Sequence, residues 1–180
     1  MPHLELPDER HHRSFLAAMA EFRAEGRGAA DDNSSVGSDL REYEGVWDSE
    51  AGFGEYLAVL RNEADPNGVL PEGYVQCTTW WWVEGDEYLG RIALRHTLTE
   101  HLRAYGGHIG YDVRPTARRR GYATTMLREV LPLALAAGVK PAAMLSCDSD
   151  NIASRRVIEA NGGVLEDVVG SLRRYWVPTS

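Results

Sequence analysis

Apolar residues recur at intervals of three and four residues in several stretches of the chain, a spacing that indicates amphipathic helices. Glycines, prolines or capping residues such as Thr99 stand at the ends of these stretches. The pattern predicts helices over residues 8–25, 53–64, 99–105, 121–137 and 152–160. Pro132 is expected to interrupt or kink the fourth helix. The polar, glycine-containing residues 26–39 are predicted to form a loop.

Other stretches are rich in β-branched and aromatic residues, which favour strands. They predict strands over residues 75–83, 88–94, 108–113, 142–147, 164–167 and 173–177. The run Trp80-Trp81-Trp82 is expected to fill both faces of a central strand. The order of elements predicts an α/β fold in which helices pack on a mixed sheet. We expect one domain, 1–180, with a helical N-terminal part (1–72) and a sheet-bearing core (73–177).

The composition excludes several classes of protein. Hydrophobic residues make up 43% of the 180 residues, as in ordinary globular domains, and no apolar run approaches the ~20 residues that span a membrane. The net charge of −8 argues against general nucleic-acid binding, which usually needs a broad basic face. Residues 1–13 lack the apolar stretch of a signal peptide, so a cytoplasmic location is expected. His96, His101 and His108 match no ligand spacing, so no metal site is expected.

A cluster of positive charge stands between a predicted strand and a predicted helix. It consists of Arg114, Arg118, Arg119 and Arg120. Arginines at a helix start oppose the helix dipole, and a bound anion would relieve that conflict. The free N–H groups of such a helix end also suit a phosphate-bearing ligand. Gly121 would allow the backbone to approach that ligand closely. The alternative is a helix end with solvated arginines.

Two segments resemble one enzyme family. Residues 118–123 resemble the acyl-CoA pyrophosphate loop, (Q/R)-x-x-G-x-(G/A), of the GCN5-related N-acetyltransferases (GNAT). Residues 147–163 are similar to a strand–helix unit of that family, in which an Asn, here Asn151, opens the helix and a glycine pair follows it. The stretch 90–176 is also similar to a bacterial subgroup of predicted acetyltransferases. That likeness rests on Leu94-Arg95-His96, Gly107-His108-Ile109-Gly110-Tyr111 and Arg174-Tyr175-Trp176.

The resemblance implies transfer of acetyl from acetyl-CoA to a primary amine by direct attack in a ternary complex. It also implies a mostly antiparallel sheet of six to seven strands that splays between strands 108–113 and 142–147. Asp112 and Val113 would pair with the pantetheine arm and Asn151 would contact it from the other side, although Asn151 is also a good helix cap. The cofactor-binding residues so implied are Asp112, Val113, Arg118, Arg119, Arg120, Gly121, Tyr122, Ala123, Thr124 and Asn151.

The chain departs from the family at one position that bears on catalysis. Many members carry a tyrosine acid seven residues after the Asn, where this chain has Ile158, which cannot donate a proton. Tyr111 is our first candidate to replace it, and a buried core tyrosine is the alternative. The other candidates are His108, Ser154, Cys147 and Tyr175. Strand alternation places Tyr111 and Val113 on one face and His108 and Asp112 on the other.

The acceptor is the least determined partner. The stretch 31–55 is strongly acidic, which indicates either a solvated surface or a site for a cationic amine. The sequence leaves a homodimer open, and no membrane partner is expected. The loss of the usual tyrosine at Ile158 also leaves open a non-catalytic module that binds acyl-CoA.

Overall fold

The computed structural model describes residues 1–180. The helices are α1 (His12–Ala24), α2 (Ser35–Tyr43), α3 (Glu50–Ala64), α4 (Glu100–Ala104), α5 (Tyr122–Ala136) and α6 (Ile152–Ala160). The strands are β1 (His3–Glu5), β2 (Cys77–Glu84), β3 (Glu87–Arg95), β4 (Ile109–Val113), β5 (Ala142–Asp148), β6 (Val164–Val169) and β7 (Leu172–Pro178). No helix combines the length and the apolar character that crossing a membrane requires.

The strands form two sheets, and every pairing between strands is antiparallel. One sheet has the order β1-β2-β3-β4 and the other has the order β5-β7-β6. The predicted α/β fold with a mostly antiparallel arrangement of six to seven strands is therefore confirmed. The hairpin of β2 and β3 contributes the longest pair, with a register shift between Trp82 and Val83.

The two sheets meet at one end of β4 and β5 and diverge from there. The His108 N–H donates to the Met144 carbonyl at 2.7 Å, and the Met144 N–H donates to His108 Nδ1 at 2.9 Å. Gly107 forms the only bridge, opposite Leu145. A Cβ at Gly107 would lie 2.4 Å from the Met144 carbonyl oxygen, so only glycine fits this junction. The predicted splay between β4 and β5 is confirmed.

Two hydrophobic cores lie on opposite faces of the larger sheet. The first includes Trp82, Ile92, Met126 and Leu145 and packs α5 and α6 against the sheets. The second packs α1, α2 and α3 on the other face and includes Trp81. Neighbouring residues of β2 thus enter different cores, because successive side chains of a strand point to opposite faces. The prediction for the tryptophan run is confirmed.

The structure differs from the predicted elements in three places. Residues 35–43 form α2, where the sequence predicted only a loop up to 39; Ser34 caps this helix by accepting a hydrogen bond from the Gly37 N–H at 3.0 Å. The three-residue β1 was not predicted. The predicted interruption at Pro132 is wrong, because α5 is continuous. Pro132 lies on the exposed face of α5, where water can satisfy the carbonyl that loses its donor.

The pairing of His108 with Met144 predicts a pH dependence of stability. Because Nδ1 accepts a hydrogen bond, the ring is neutral, and burial lowers the pKa of His108 from 6.5 to about 4. The unfolded chain therefore binds this proton more readily, and the free energy of unfolding falls as the pH falls from about 6.5 to about 4.

We expect His108→Gln, which keeps an acceptor but does not titrate, to lose less stability over this range than the wild type. Urea denaturation at a series of pH values measures the difference. The exposed His101→Gln is the matched control and should follow the wild type. Equal pH dependence in wild type and His108→Gln would contradict the neutral state proposed for the His108 ring.

Candidate functional site

The divergence of β4 and β5 opens a cavity of about 500 Å³, here called the β4–β5 groove. The side of β4 and the first turns of α5 and α6 form its walls. Its lining includes Tyr111, Asp112, Val113, Arg118, Arg119, Gly121, Tyr122, Ala123, Thr124, Asn151 and Ser154. The structure therefore brings together most of the residues that the sequence singled out.

The beginning of α5 presents a row of free backbone donors to the groove. The N–H groups of residues 119–124 donate to no protein acceptor. Gly121 stands before the helix in the left-handed conformation (φ +79°), and a Cβ there would meet nothing within 4 Å. Arg119 also has a positive φ of 62°, which is uncommon for a residue with a side chain. Consecutive donors of this kind at a helix N-terminus form an anion site.

The four arginines of this region divide into two structural and two free residues. Arg114 forms an ion pair with Glu21 at 2.7 Å, and Arg118 forms one with Glu25 at 2.6 Å. Arg118 Nε also donates to the Val113 carbonyl at 3.1 Å, which ties the loop to the end of β4. Arg119 and Arg120 are exposed and make no ion pair, and Arg120 does not line the groove.

Tyr111 and Ser154 meet across the groove. Their hydroxyl groups share a hydrogen bond of 2.7 Å between β4 and α6. Burial raises the pKa of Tyr111 well above 10, so its hydroxyl is protonated at neutral pH. Cys147 is buried beside Ser154, and burial raises the pKa of its thiol. The groove therefore holds a neutral hydroxyl pair close to the point where the strands begin to separate.

Asn151 and Asp112 have internal partners as well as positions at the groove. Asn151 caps α6 by accepting a hydrogen bond from the Ser154 N–H at 3.0 Å, while its amide nitrogen donates to no protein acceptor. The Asp112 carboxylate accepts a hydrogen bond from Arg27 at 2.8 Å. Burial raises the pKa of Asp112, and the neighbouring Arg27 opposes that rise. The Asp112 backbone faces β3, where its carbonyl oxygen would lie 2.6 Å from a Cβ at Gly90. The backbone of Val113 lies on the strand edge that β3 does not use, so the sequence-based expectation for the backbone of Asp112 is not met.

Three catalytic candidates from the sequence do not line the groove: His108, Cys147 and Tyr175. His108 is 8% exposed and joins β4 to β5, so it has a structural role. Tyr175 is buried and donates to Glu159 at 3.2 Å. Ile158 is fully buried in the first core, where its Cγ2 would lie 2.4 Å from a Cβ at Gly163. His108 and Tyr175 are therefore not retained as catalytic candidates.

A second cavity, of about 480 Å³, lies between α2, α3 and the outer face of β2 and β3. It is called the α2–α3 cavity here. Its charged lining consists of Asp39, Glu42, Glu63, Arg91 and Arg95. The acidic stretch 31–55 pointed to Asp39 and Glu42. Nothing in the sequence singled out Glu63, and Arg95 appeared only in the segment Leu94-Arg95-His96 that carries the family likeness, with no role assigned to it. Those two come from the end of α3 and the end of β3, and only the tertiary fold brings them together.

Charges of the α2–α3 cavity are partly paired. Arg91 is buried and forms an ion pair with Asp39, which also accepts a hydrogen bond from the Tyr56 hydroxyl at 2.8 Å. Burial raises the pKa of Glu63, and the neighbouring carboxylates of Asp39 and Glu42 raise it further. Burial and Glu42 raise the pKa of Tyr43 to about 12. The carboxylates thus converge on one part of the cavity.

The two cavities lie on opposite faces of β3 and β4. In the register of these strands, Ile92 pairs with Tyr111 on the groove side. Ala93 pairs with Gly110, and Arg91 pairs with Asp112, on the side of the α2–α3 cavity. The register is regular, so the predicted alternation of side chains along β4 is confirmed. Gly110 places no side chain on the α2–α3 side of β4, and a Cβ there would meet only the Arg95 guanidinium, at 4.0 Å.

Sequence comparison identifies the family to which this arrangement belongs. The family model of the acetyltransferase (GNAT) domain matches residues 38–164. The chain belongs to the GNAT acetyltransferase family. That match runs from within α2 to the first residue of β6 and includes all lining residues of the two cavities except Glu25, Arg27 and Ser35. No curated protein matches the chain by sequence, and no group of His, Cys, Asp and Glu side chains is placed to hold a metal ion.

Solved structures of GNAT proteins are similar to the chain over nearly all of its length. Mycobacterium smegmatis RimJ, in complex with CoA-disulfide, is 16% identical over 98% of this chain and 80% of that chain, with a TM-score of 0.65. A Salmonella typhimurium acetyltransferase that modifies the N-terminal serine of ribosomal protein L7/L12 is 18% identical over 98% and 94%, with a TM-score of 0.59.

A third structure was obtained with an acetyl donor. The microcin C7 self-immunity acetyltransferase MccE, in complex with acetyl-CoA and AMP, is 12% identical over 98% of this chain and 92% of that chain, with a TM-score of 0.61. Identities this low bear on the fold, and the acceptor must be argued from the residues of the cavities themselves.

Proposed function

We propose that the protein transfers an acetyl group from acetyl-CoA to a primary amine, by direct attack in a ternary complex. The row of free N–H groups at residues 119–124, beside the open space at Gly121, is the observation that carries this proposal. Membership of the GNAT family supports the same reaction class.

The hydrogen-bonding groups of the β4–β5 groove match the polar groups of acetyl-CoA. The N–H groups of residues 119–124 would hold the diphosphate, with Arg119 as the nearest free cation. The backbone of Val113, on the edge of β4 that β3 leaves free, would pair with an amide of the pantetheine arm. Asn151, whose amide nitrogen has no protein acceptor, lines the groove at the beginning of α6. When bound, acetyl-CoA supplies the activated thioester.

Tyr111, oriented by Ser154, would stabilise the CoA thiolate, which is the leaving group. As the amine nitrogen bonds to the thioester carbon, the carbon–sulfur bond breaks and negative charge develops on sulfur. A thiol has a pKa of about 8.5, below that of Tyr111, so the tyrosine acts as a hydrogen-bond donor to the thiolate and solvent completes its protonation. Ser154, at 2.7 Å, orients the Tyr111 hydroxyl.

The α2–α3 cavity is the proposed acceptor site. An alkylamine has a pKa of about 10 and arrives as an ammonium ion, which must lose a proton before it attacks. Glu42 and Glu63 offer carboxylates to that ammonium, and the raised pKa of Glu63 suits a proton acceptor. β4 lies between this cavity and the groove, and Gly110 of that strand places no side chain on the cavity side.

A second candidate function is a module that binds acyl-CoA without catalysis. The observation that favours it is the burial of Ile158, which places no proton donor at the position where many family members carry tyrosine. The two functions differ in one measurable respect. Both require acetyl-CoA binding, but only the enzyme releases the CoA thiol when an amine is added.

The first prediction concerns turnover and the acceptor site. With a panel of primary amines, we expect thiol release from acetyl-CoA that depends on the amine. Glu63→Gln should raise the KM for a cationic amine about tenfold, the loss typical of one charged contact, and leave the Kd for acetyl-CoA unchanged. Glu55→Gln, on the exposed side of α3 and outside the cavity, is the matched control. Acetyl-CoA binding without any amine-dependent release would favour the non-catalytic module.

A further prediction concerns the diphosphate loop. Gly121→Ala places a methyl group in the space in front of the free N–H groups, and we expect it to raise the Kd for acetyl-CoA at least tenfold by calorimetry. Gly138→Ala is the matched control, because Gly138 follows the same helix with φ +90° and equally open surroundings. Both changes strain the backbone alike, so an equal effect on binding would contradict the placement of the loop.

Tyr111 supplies a prediction about the chemical step. Tyr111→Phe removes the hydroxyl but keeps the ring, and we expect kcat to fall roughly tenfold to a hundredfold with little change in the Kd for acetyl-CoA. Tyr175→Phe removes a buried hydroxyl outside the groove and should retain the wild-type kcat. Unchanged turnover in Tyr111→Phe would exclude the tyrosine from the reaction.

A further inference from the structure

We propose that the acceptor carries a carboxylate as well as its amine, and that Arg95 binds that carboxylate. The proposed substrate is thus a free α-amino acid and not an amine that lacks a carboxylate. This inference rests on the proposed function, because it assigns the α2–α3 cavity to the acceptor. Its basis is that the cavity holds unpaired charges of both signs.

Arg95 is the unpaired cation of the cavity. Its one hydrogen bond goes to the Gly107 carbonyl at 3.3 Å, and no carboxylate oxygen lies within 4.0 Å of its guanidinium nitrogens. Arg91, two residues earlier on the same face of β3, is different, because Asp39 and the Tyr56 hydroxyl already contact it. A half-buried guanidinium with donors to spare is the usual partner of a carboxylate, which it binds with two parallel hydrogen bonds.

Glu42 and Glu63 are the unpaired anions. Neither forms an ion pair or a side-chain hydrogen bond of 3.5 Å or less with a cation of the protein. Arg95 lowers the pKa of Glu63 through space, so the two lie within electrostatic range although they do not touch. The cavity therefore keeps a cationic pole and an anionic pole apart. Glu42 is exposed, but Glu63 and Arg95 are half-buried, where an unpaired charge is more costly than in water.

A dipolar ligand would neutralise both poles at once. Its ammonium would lie against Glu42 and Glu63, and its carboxylate would lie against Arg95. The apolar side chains of Val59, Leu60 and Leu70 line the same cavity and leave room for an aliphatic or aromatic side chain. A polyamine would satisfy the anionic pole and place a second cation toward Arg95, where like charges repel.

The guanidinium also stands close to β4, the strand that lies between the two cavities. Its Nη1 lies 4.0 Å from the position of a Cβ at Gly110. An acceptor whose carboxylate is bound there is anchored beside β4, on whose other face Tyr111 and the groove lie. In an α-amino acid the amine is bonded to the same carbon as the carboxylate, so a carboxylate bound by Arg95 also holds the reacting amine close to β4.

The test compares each amino acid with the amine that results from removing its carboxylate. Wild-type protein is expected to prefer the amino acid by at least tenfold in kcat/KM. Arg95→Gln should lower kcat/KM about tenfold or more for the amino acids and leave the decarboxylated amines unchanged, and Arg95→Lys should restore part of the loss. Arg61→Gln, an exposed change on α3 outside the cavity, is the matched control.

Several outcomes would overturn the proposal. They are equal activity of the wild type toward both members of each pair, and an equal loss for both members in Arg95→Gln.

If no amine is turned over, calorimetry with CoA-saturated protein decides whether the amino acid binds. Binding of an amino acid that Arg95→Gln abolishes would then retain the dipolar site and reject only the transfer reaction. Absence of binding in the wild type would reject the site.

Discussion

The separation of β4 from β5 depends on a small set of contacts at one end of these strands. The Gly107 bridge and the reciprocal hydrogen bonds of His108 and Met144 hold the sheets together there, and no side chain larger than hydrogen fits at Gly107. Past this point the edge of β4 has no strand partner. The backbone N–H and C=O groups on this edge of β4 therefore have no partner strand. The open space beside them has room for a ligand that can form the hydrogen bonds instead.

Ion pairs hold the end of β4 and the loop after it in position beside the groove. Ion pairs from α1 and the loop after it bind Arg114, Arg118 and Asp112, which fixes the end of β4 and the loop that follows. Since those charges are already satisfied, the free groups at the beginning of α5 are mostly backbone donors. In the proposed function, this loop would recognise the diphosphate by the geometry of its N–H groups more than by net charge. The α2–α3 cavity works by the opposite principle, because there the side-chain charges are the unpaired groups.

Much of this could be read from the sequence, and the failures have physical causes. The strands, the long helices and the loop around Gly121 follow from local periodicity and from the conformational range of glycine. The helix α2 was missed because its serines and glycine favour loops, although Val36 and Leu40 have helical spacing and are buried. His108 looked available for catalysis because sequence does not reveal burial. Glu63 and Arg95 are 32 residues apart in the chain, and only tertiary packing places them in one cavity.

The two hydrophobic cores give the molecule a divided architecture. Trp81 and Trp82 belong to different cores, so the larger sheet separates the side of the proposed acetyl-CoA site from the side of the proposed acceptor site. Variation in α2 and α3 can reshape one half while the packing of the other stays intact. When α2 and α3 vary, the ion pairs that join α1 and the loop after it to β4 and its loop must be kept. Arg27 with Asp112 is one of these pairs. The architecture thereby lets acceptor choice diverge while the handling of the donor stays constant.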